Sequence, residues 1–109
     1  MYYVYIYYDN SIELNLDLEL LQVNFKPIYV GKGKKDRLLH ASKFKKDNIH
    51  VEKVFTGLSE NQACFIEAFL IQKIGLENLE NKISGTKLYL LNELGDNDLY
   101  DFIDLLGKI

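Results

Sequence analysis

Residues 2–8, Tyr-Tyr-Val-Tyr-Ile-Tyr-Tyr, are without exception aromatic or β-branched. Side chains of this kind lose rotamer freedom in a helix and pack well on a pleated surface, so the run predicts a strand. Asp9-Asn10-Ser11 follows as a turn signal. Ile12, Leu14, Leu16, Leu18 and Leu20 then alternate strictly with Glu13, Asn15, Asp17 and Glu19. A period of two predicts a half-buried strand over 12–20 with an acidic outer face. Residues 27–30 predict another strand, ending at Gly31-Lys32-Gly33, and residues 50–56 a further short one. A purely helical fold is excluded.

The helical signals lie between and after these runs. A helix is predicted from a cap at Asp36 to about Lys46. Ser59-Glu60-Asn61-Gln62 fits a capping box and opens a helix running to about Ile74, with Gly75 as its stop. A turn near Gly85, a short helix over 86–93 and a final helix over 98–106 complete the chain, the last capped by Asp98 or Asp96 with Leu99, Phe102, Ile103 and Leu106 on one side. The expected fold is α+β: a small central antiparallel sheet of three main strands, with the 12–20 strand as an edge extension, flanked by helices. A length of 109 residues predicts one domain. Its core is expected over about 2–86, with 87–109 as a C-terminal helical extension.

Composition narrows the class. Apolar residues at 48% and charged residues at 27% exclude a disordered chain. Cys64 is the only cysteine, which excludes an intramolecular disulfide framework and a cysteine-rich zinc site and predicts a reducing, intracellular setting. No apolar run approaches the roughly 20 residues that span a bilayer, and no signal peptide is expected.

The net charge of -3 is an average of unlike segments. Residues 1–31 balance at -3, residues 32–53 at +5 and residues 54–109 at -5. The basic block holds Lys32, Lys34, Lys35, Arg37, Lys43, Lys45, Lys46 and Lys53. Such a block reads either as a solvated lysine-rich helix face or as a local polyanion footprint.

Three clusters could carry chemistry. Glu67 falls in the middle of the helical stripe Ala63, Ile66, Leu70, Ile71 and Ile74. A carboxylate there needs a cation, a metal or a proton, because burying it unpaired costs several kcal/mol in order of magnitude. Its alternative is a core glutamate paired to Arg or Lys. Arg37 and His40 are three apart on a predicted helix and share a face, beside a glycine turn ringed by Lys32, Lys34 and Lys35. That turn lacks the Gly-Lys-Ser/Thr ending of a nucleoside-triphosphate loop and the third glycine of a dinucleotide fingerprint. Tyr5 and Tyr29 lie on strands expected to pair, where ordinary packing competes with a role as acid or base. Asp96-Asn97-Asp98 lacks the glycine of a calcium loop and reads as a helix cap. Cys64 reads as a small core residue, and His50 as structural or exposed.

Taken in order, these elements resemble the GIY-YIG nuclease superfamily. Tyr3-Val4-Tyr5 matches its first signature, with Tyr in place of the leading Gly, and Tyr29-Val30-Gly31 matches the second. The stretch from Tyr29 to Arg37, with His40 one turn on, is similar to the subgroup that includes LEM-domain nucleases and stand-alone phage and bacterial members. Glu67 within Ile66-Glu67-Ala68-Phe69-Leu70-Ile71 matches the metal-binding glutamate, and Leu79-Glu80-Asn81 followed by Gly85 matches a later element. The resemblance covers residues 2 to about 86. The segment between the two tyrosine motifs is longer than usual, and the chain after residue 86 has no counterpart.

The resemblance implies metal-dependent hydrolysis of DNA phosphodiesters. Glu67 would hold one Mg²⁺ or Mn²⁺, a hard ion suited to oxygen ligands. Tyr5 would accept the proton of the attacking water, with His40 as relay and Tyr29 able to share the role. Arg37 would bind the scissile phosphate, Lys32, Lys34 and Lys35 would add positive charge, and Asn81 would orient Glu67 or the phosphate. Two other functions are open: a non-cleaving nucleic-acid-binding domain, and a protein-interaction domain. A homodimer contact or a recruiting protein would use 12–20 or the C-terminal helix.

Overall fold

The computed structural model describes residues 1–35, 47–81 and 99–107. Three strands, β1 (Tyr2–Asp17), β2 (Gln22–Gly33) and β3 (Ile49–Leu58), form an antiparallel sheet in the order β2-β1-β3. The helix α1 (Glu60–Ile74) follows β3, a single 3-10 turn covers Leu76–Asn78, and the helix α2 spans Leu99–Gly107. The arrangement is α+β, with a three-stranded antiparallel sheet as expected. The helices expected at 36–46 and 86–93 lie outside the described residues. None of the described helices is long and apolar enough to cross a membrane.

The opening strand differs from expectation. Asp9-Asn10-Ser11 does not end it: β1 runs through to Asp17, so the strands expected at 2–8 and 12–20 are one. The turn signal forms a bulge instead. Asp9 pairs with Lys26 and Glu13 with Phe25, so four steps along β1 match one along β2. The Asp9 carboxylate accepts bonds from the Ser11 amide at 2.9 Å, the Ser11 hydroxyl, and Asn48 Nδ2 at 3.0 Å. This is the chemistry of a turn, but pairing with β2 keeps the chain extended. The reversal comes at Leu18–Leu21. There the Asp17 carboxylate accepts from the Glu19 amide at 2.9 Å and Glu19 takes φ 69.

The apolar face of 12–20 is also less covered than expected. Leu18 and Leu20 are buried, but Ile12 and Leu14 are 40% and 39% exposed. β3 pairs with β1 only as far as Asp9, so beyond this point the β1–β2 ribbon runs on with two strands among the described residues.

The sheet has two unlike faces. Val4, Ile6, Tyr8 and Val30 pack with Ala63, Phe65, Ile66, Phe69, Leu70, Ile71 and Ile74 of α1, joined by Ile103 and Leu106 of α2. The opposite face carries Tyr3, Tyr5 and Tyr7, with Ile28, Tyr29, Ile49 and Val51 around them. Alternation along β1 sends neighbouring residues to opposite sides, which is why a run of tyrosines feeds both faces.

α1 begins where the capping box predicts. Ser59 Oγ accepts from the Gln62 amide at 3.1 Å, and Gln62 Oε1 accepts from the Ser59 amide at 2.9 Å. Gly75, at φ 96, ends it, donating its N–H to the Ile71 carbonyl at 2.8 Å. The same Gln62 side chain donates from Nε2 to the Ile103 carbonyl at 3.1 Å, tying α2 to the start of α1.

Candidate active site

Antiparallel pairing sets Tyr5 opposite Gly31 and Tyr7 opposite Tyr29. Directly opposed residues share a face, so the tyrosines of both motifs meet on the side of the sheet away from α1. The Tyr5 and Tyr29 rings lie 6.3 Å apart between centroids at an interplanar angle of 29°. Tyr7 meets each of them edge-on, at 6.0 Å and 6.4 Å. Tyr5 is only 5% exposed, whereas Tyr29 is half-buried. Burial, followed by the neighbouring Tyr29 and Tyr3, pushes the Tyr7 phenol above its ordinary pKa.

Gly31 has a steric role in this cluster. The Tyr5 ring folds over it, so a Cβ built on Gly31 would lie 2.8 Å from Tyr5 Cε2 and closer still to Cζ and Oη. Only a residue without a side chain admits the ring. At the next pair, the Tyr3 hydroxyl donates to the Lys35 carbonyl at 2.8 Å. That bond holds the exit of β2, where Lys35 adopts φ 58.

Asn81 bonds the backbone between the two motif residues of β2. Its Oδ1 accepts from the Val30 amide at 3.0 Å, and its Nδ2 donates to the Val30 carbonyl at 2.7 Å. One residue earlier, the Glu80 amide donates to the Ile28 carbonyl at 2.7 Å. β2 is an edge strand, and these bonds occupy its outer side where Tyr29-Val30-Gly31 runs. The amide expected to orient Glu67 or a phosphate is thus committed to Val30, which makes Asn81 a positioning residue for Tyr29 and Gly31.

The lysines divide between the faces. Lys32 pairs with Val4 and therefore leaves the sheet on the α1 side. Its Nζ lies 5.9 Å from the centre of the Tyr2 ring, and that of Lys34 lies 5.3 Å from it. The Tyr2 hydroxyl in turn donates to Glu60 in the first turn of α1 at 3.3 Å. Lys32 and Lys34 are thus not gathered with Tyr5 and Tyr29. Among the described residues, the cation over the tyrosine face is Lys53 of β3, with its Nζ 4.5 Å from the centre of the Tyr3 ring. Sequence reasoning counted Lys53 in the basic block but gave it no role. Pairing of β3 with β1 brings it there, and that pairing is not a local signal.

Glu67 stands out within α1. From Ala63 to Ile71 every residue is buried except Glu67, which is half-buried. The helix is therefore apolar around most of its circumference rather than along one stripe, as expected of a core helix. Cys64 is 2% exposed within it, matching its reading as a core residue. α1 packs on the face opposite the tyrosines. Arg37 and His40 lie outside the described residues. His50 is half-buried, stacked on Tyr8 at 5.2 Å and 23° and meeting Phe25 edge-on, and its Nδ1 is buried without a hydrogen-bond partner among the described residues.

Among the described residues, no three His, Cys, Asp or Glu side chains gather as a metal cage. A magnesium-type ion does not require one, since it binds through one or two carboxylates and keeps several waters or substrate oxygens. Glu67, a carboxylate half-buried in an otherwise apolar helix, fits that donor requirement. Compared with family models, curated proteins and solved structures, the chain matches none.

Proposed function

We propose that this chain is a divalent-metal-dependent DNA endonuclease of the GIY-YIG kind, working with a single metal ion. The observation that carries the proposal is the cross-strand meeting of Tyr5 and Tyr29 over Gly31. These residues come from two short motifs far apart in the chain, and the sheet register is what unites them. Fit of the glycine to the ring explains why the second motif ends as it does.

In this reading Tyr29, the more accessible phenol, or Tyr5 beside it accepts the proton of the attacking water as its own hydroxyl proton passes to His40. His40 serves as the relay. Arg37 binds the scissile phosphate, and its removal costs about 100-fold in rate, by analogy with the loss of a single donor to transition-state charge. Lys53 draws the phosphate backbone to the tyrosine face, a role that Lys32 and Lys34 beside Tyr2 fill only at the far side of the sheet. Asn81 keeps Tyr29 and Gly31 in register through Val30. Glu67 would hold Mg²⁺ or Mn²⁺, which would supply charge neutralisation at the phosphate.

A second reading, a non-cleaving nucleic-acid-binding domain on the same fold, is favoured by two observations. Tyr5 is nearly buried, and α1 packs on the face opposite the tyrosines. A cleavage panel separates the two: supercoiled, linear duplex, nicked, flap, branched and single-stranded DNA, with RNA beside them, each with Mg²⁺, Mn²⁺ or chelator. Cleavage of any DNA in the presence of metal supports the nuclease. Binding without cleavage across the panel supports the second reading.

A further inference from the structure

We infer that the outer edge of β1 from Glu13 to Asp17 is a docking site for an extended protein segment in which basic and aliphatic residues alternate. β3 pairs with β1 as far as Asp9, and the last bond on that side runs from the Asn10 amide to the Asn48 carbonyl at 2.7 Å. Among the described residues no strand covers β1 on that side beyond Asn10. The other side is held by β2, through Glu13 with Phe25, Leu16 with Val23 and Asp17 with Gln22. An open strand edge of this kind is a ready template for strand addition.

The side chains specify the occupant. Ile12 and Leu14 are exposed on a face that continues toward the core through half-buried Leu16. Leu14 and Leu16 also line a groove of about 220 Å³ on the α1 side with Pro27, Ile74 and the stems of Lys26 and Lys73. Aliphatic side chains opposite Leu14 and Leu16 would extend this face. The intervening positions Glu13, Asn15 and Asp17 are exposed. Neither Glu13 nor Asp17 has a cationic partner among the described residues; of the nearby lysines, Lys73 pairs with Glu19, and Lys26 stands opposite Asp9 in the ladder, so two lysines face four carboxylates along this edge. The surplus charge on the edge is therefore negative, and Lys or Arg opposite these positions answers it. A second copy of the chain is disfavoured by the same charges. Antiparallel self-pairing about Leu14 would put Glu13 diagonal to its own counterpart and to Asp17.

The test uses the full chain and a disulfide-cyclised β-hairpin peptide whose free edge reads Lys-Val-Lys-Leu-Lys, with a Glu-Val-Glu-Leu-Glu peptide as its counterpart. The cyclised form avoids the ordering cost of a loose strand. The basic peptide is expected to shift the amide resonances of Glu13 to Asp17 and slow their hydrogen exchange. Its affinity should fall about tenfold or more between low and 0.5 M salt, as exposed charge pairs are screened. Glu13→Lys with Asn15→Lys should reverse the preference to the acidic peptide while the other amide resonances stay in place. Equal binding of both peptides, binding of neither, or shifts confined to other residues would overturn the inference. So would a dimer of the free chain with these same amides protected.

Discussion

The ring of Tyr5 rests on the α-carbon of Gly31, its cross-strand partner. This contact joins the two tyrosine motifs and makes the glycine a steric requirement. Gly31→Ala should destabilise the fold by about 1–3 kcal/mol through overpacking, read from urea unfolding. In a Tyr5→Ala background the same change should cost far less. Equal costs in the two backgrounds would mean that the ring is not what excludes the side chain.

Asn81 replaces a missing strand at the edge of β2 by bonding both backbone groups of Val30. Asn81→Ala leaves that amide and carbonyl unpaired beside a fully buried side chain and should cost about 1–3 kcal/mol. The Val30 amide should exchange faster in proportion. An exchange rate unchanged by the substitution would contradict the pairing.

The β1 bulge carries its own pH signature. Bonds from the Ser11 hydroxyl first, then from Asn48 and the Ser11 amide, hold the Asp9 carboxyl below the usual carboxylate pKa. A lowered folded-state pKa contributes stability that is full above the unfolded value, near 4, and is lost as pH falls through the folded value. Asp9→Asn should therefore flatten the loss of stability below about pH 4. Urea midpoints of both proteins across the acid range would check this, and parallel profiles would contradict it.

His50 keeps its ring stacked on Tyr8 while its Nδ1 lacks a partner among the described residues. His50→Phe preserves the stacking and removes the unsatisfied atom. It should leave stability unchanged or raise it by up to about 1 kcal/mol. A clear loss in thermal unfolding would show that the imidazole makes a bond that phenylalanine cannot replace.

How much of this was legible in the sequence follows from how local each signal is. The start of α1 was readable because Ser59 and Gln62 are three residues apart and complete their bonds with each other. Asp9-Asn10-Ser11 was misread because the same side-chain bonds close a turn or support a bulge, and the pairing with β2 decides between them. A period of two already separates Lys32 from Tyr29 and Gly31, although proximity in the chain suggested one cluster. Lys53 and the Val30 pairing of Asn81 depend on contacts across more than 45 residues. Neither has a local pattern that would reveal it.

The central claim is that Glu67 works as the metal-holding carboxylate of a nuclease. The most direct measurement is the rate of Mg²⁺-dependent nicking of supercoiled DNA by the parent chain and by Glu67→Gln, with circular dichroism confirming that both are folded. The account predicts nicking that stops on chelation and a rate about 100-fold or more lower in Glu67→Gln, the order expected when a principal stabiliser of transition-state charge is lost. Equal nicking rates in the two proteins, or no metal-dependent nicking by the parent chain, would contradict it.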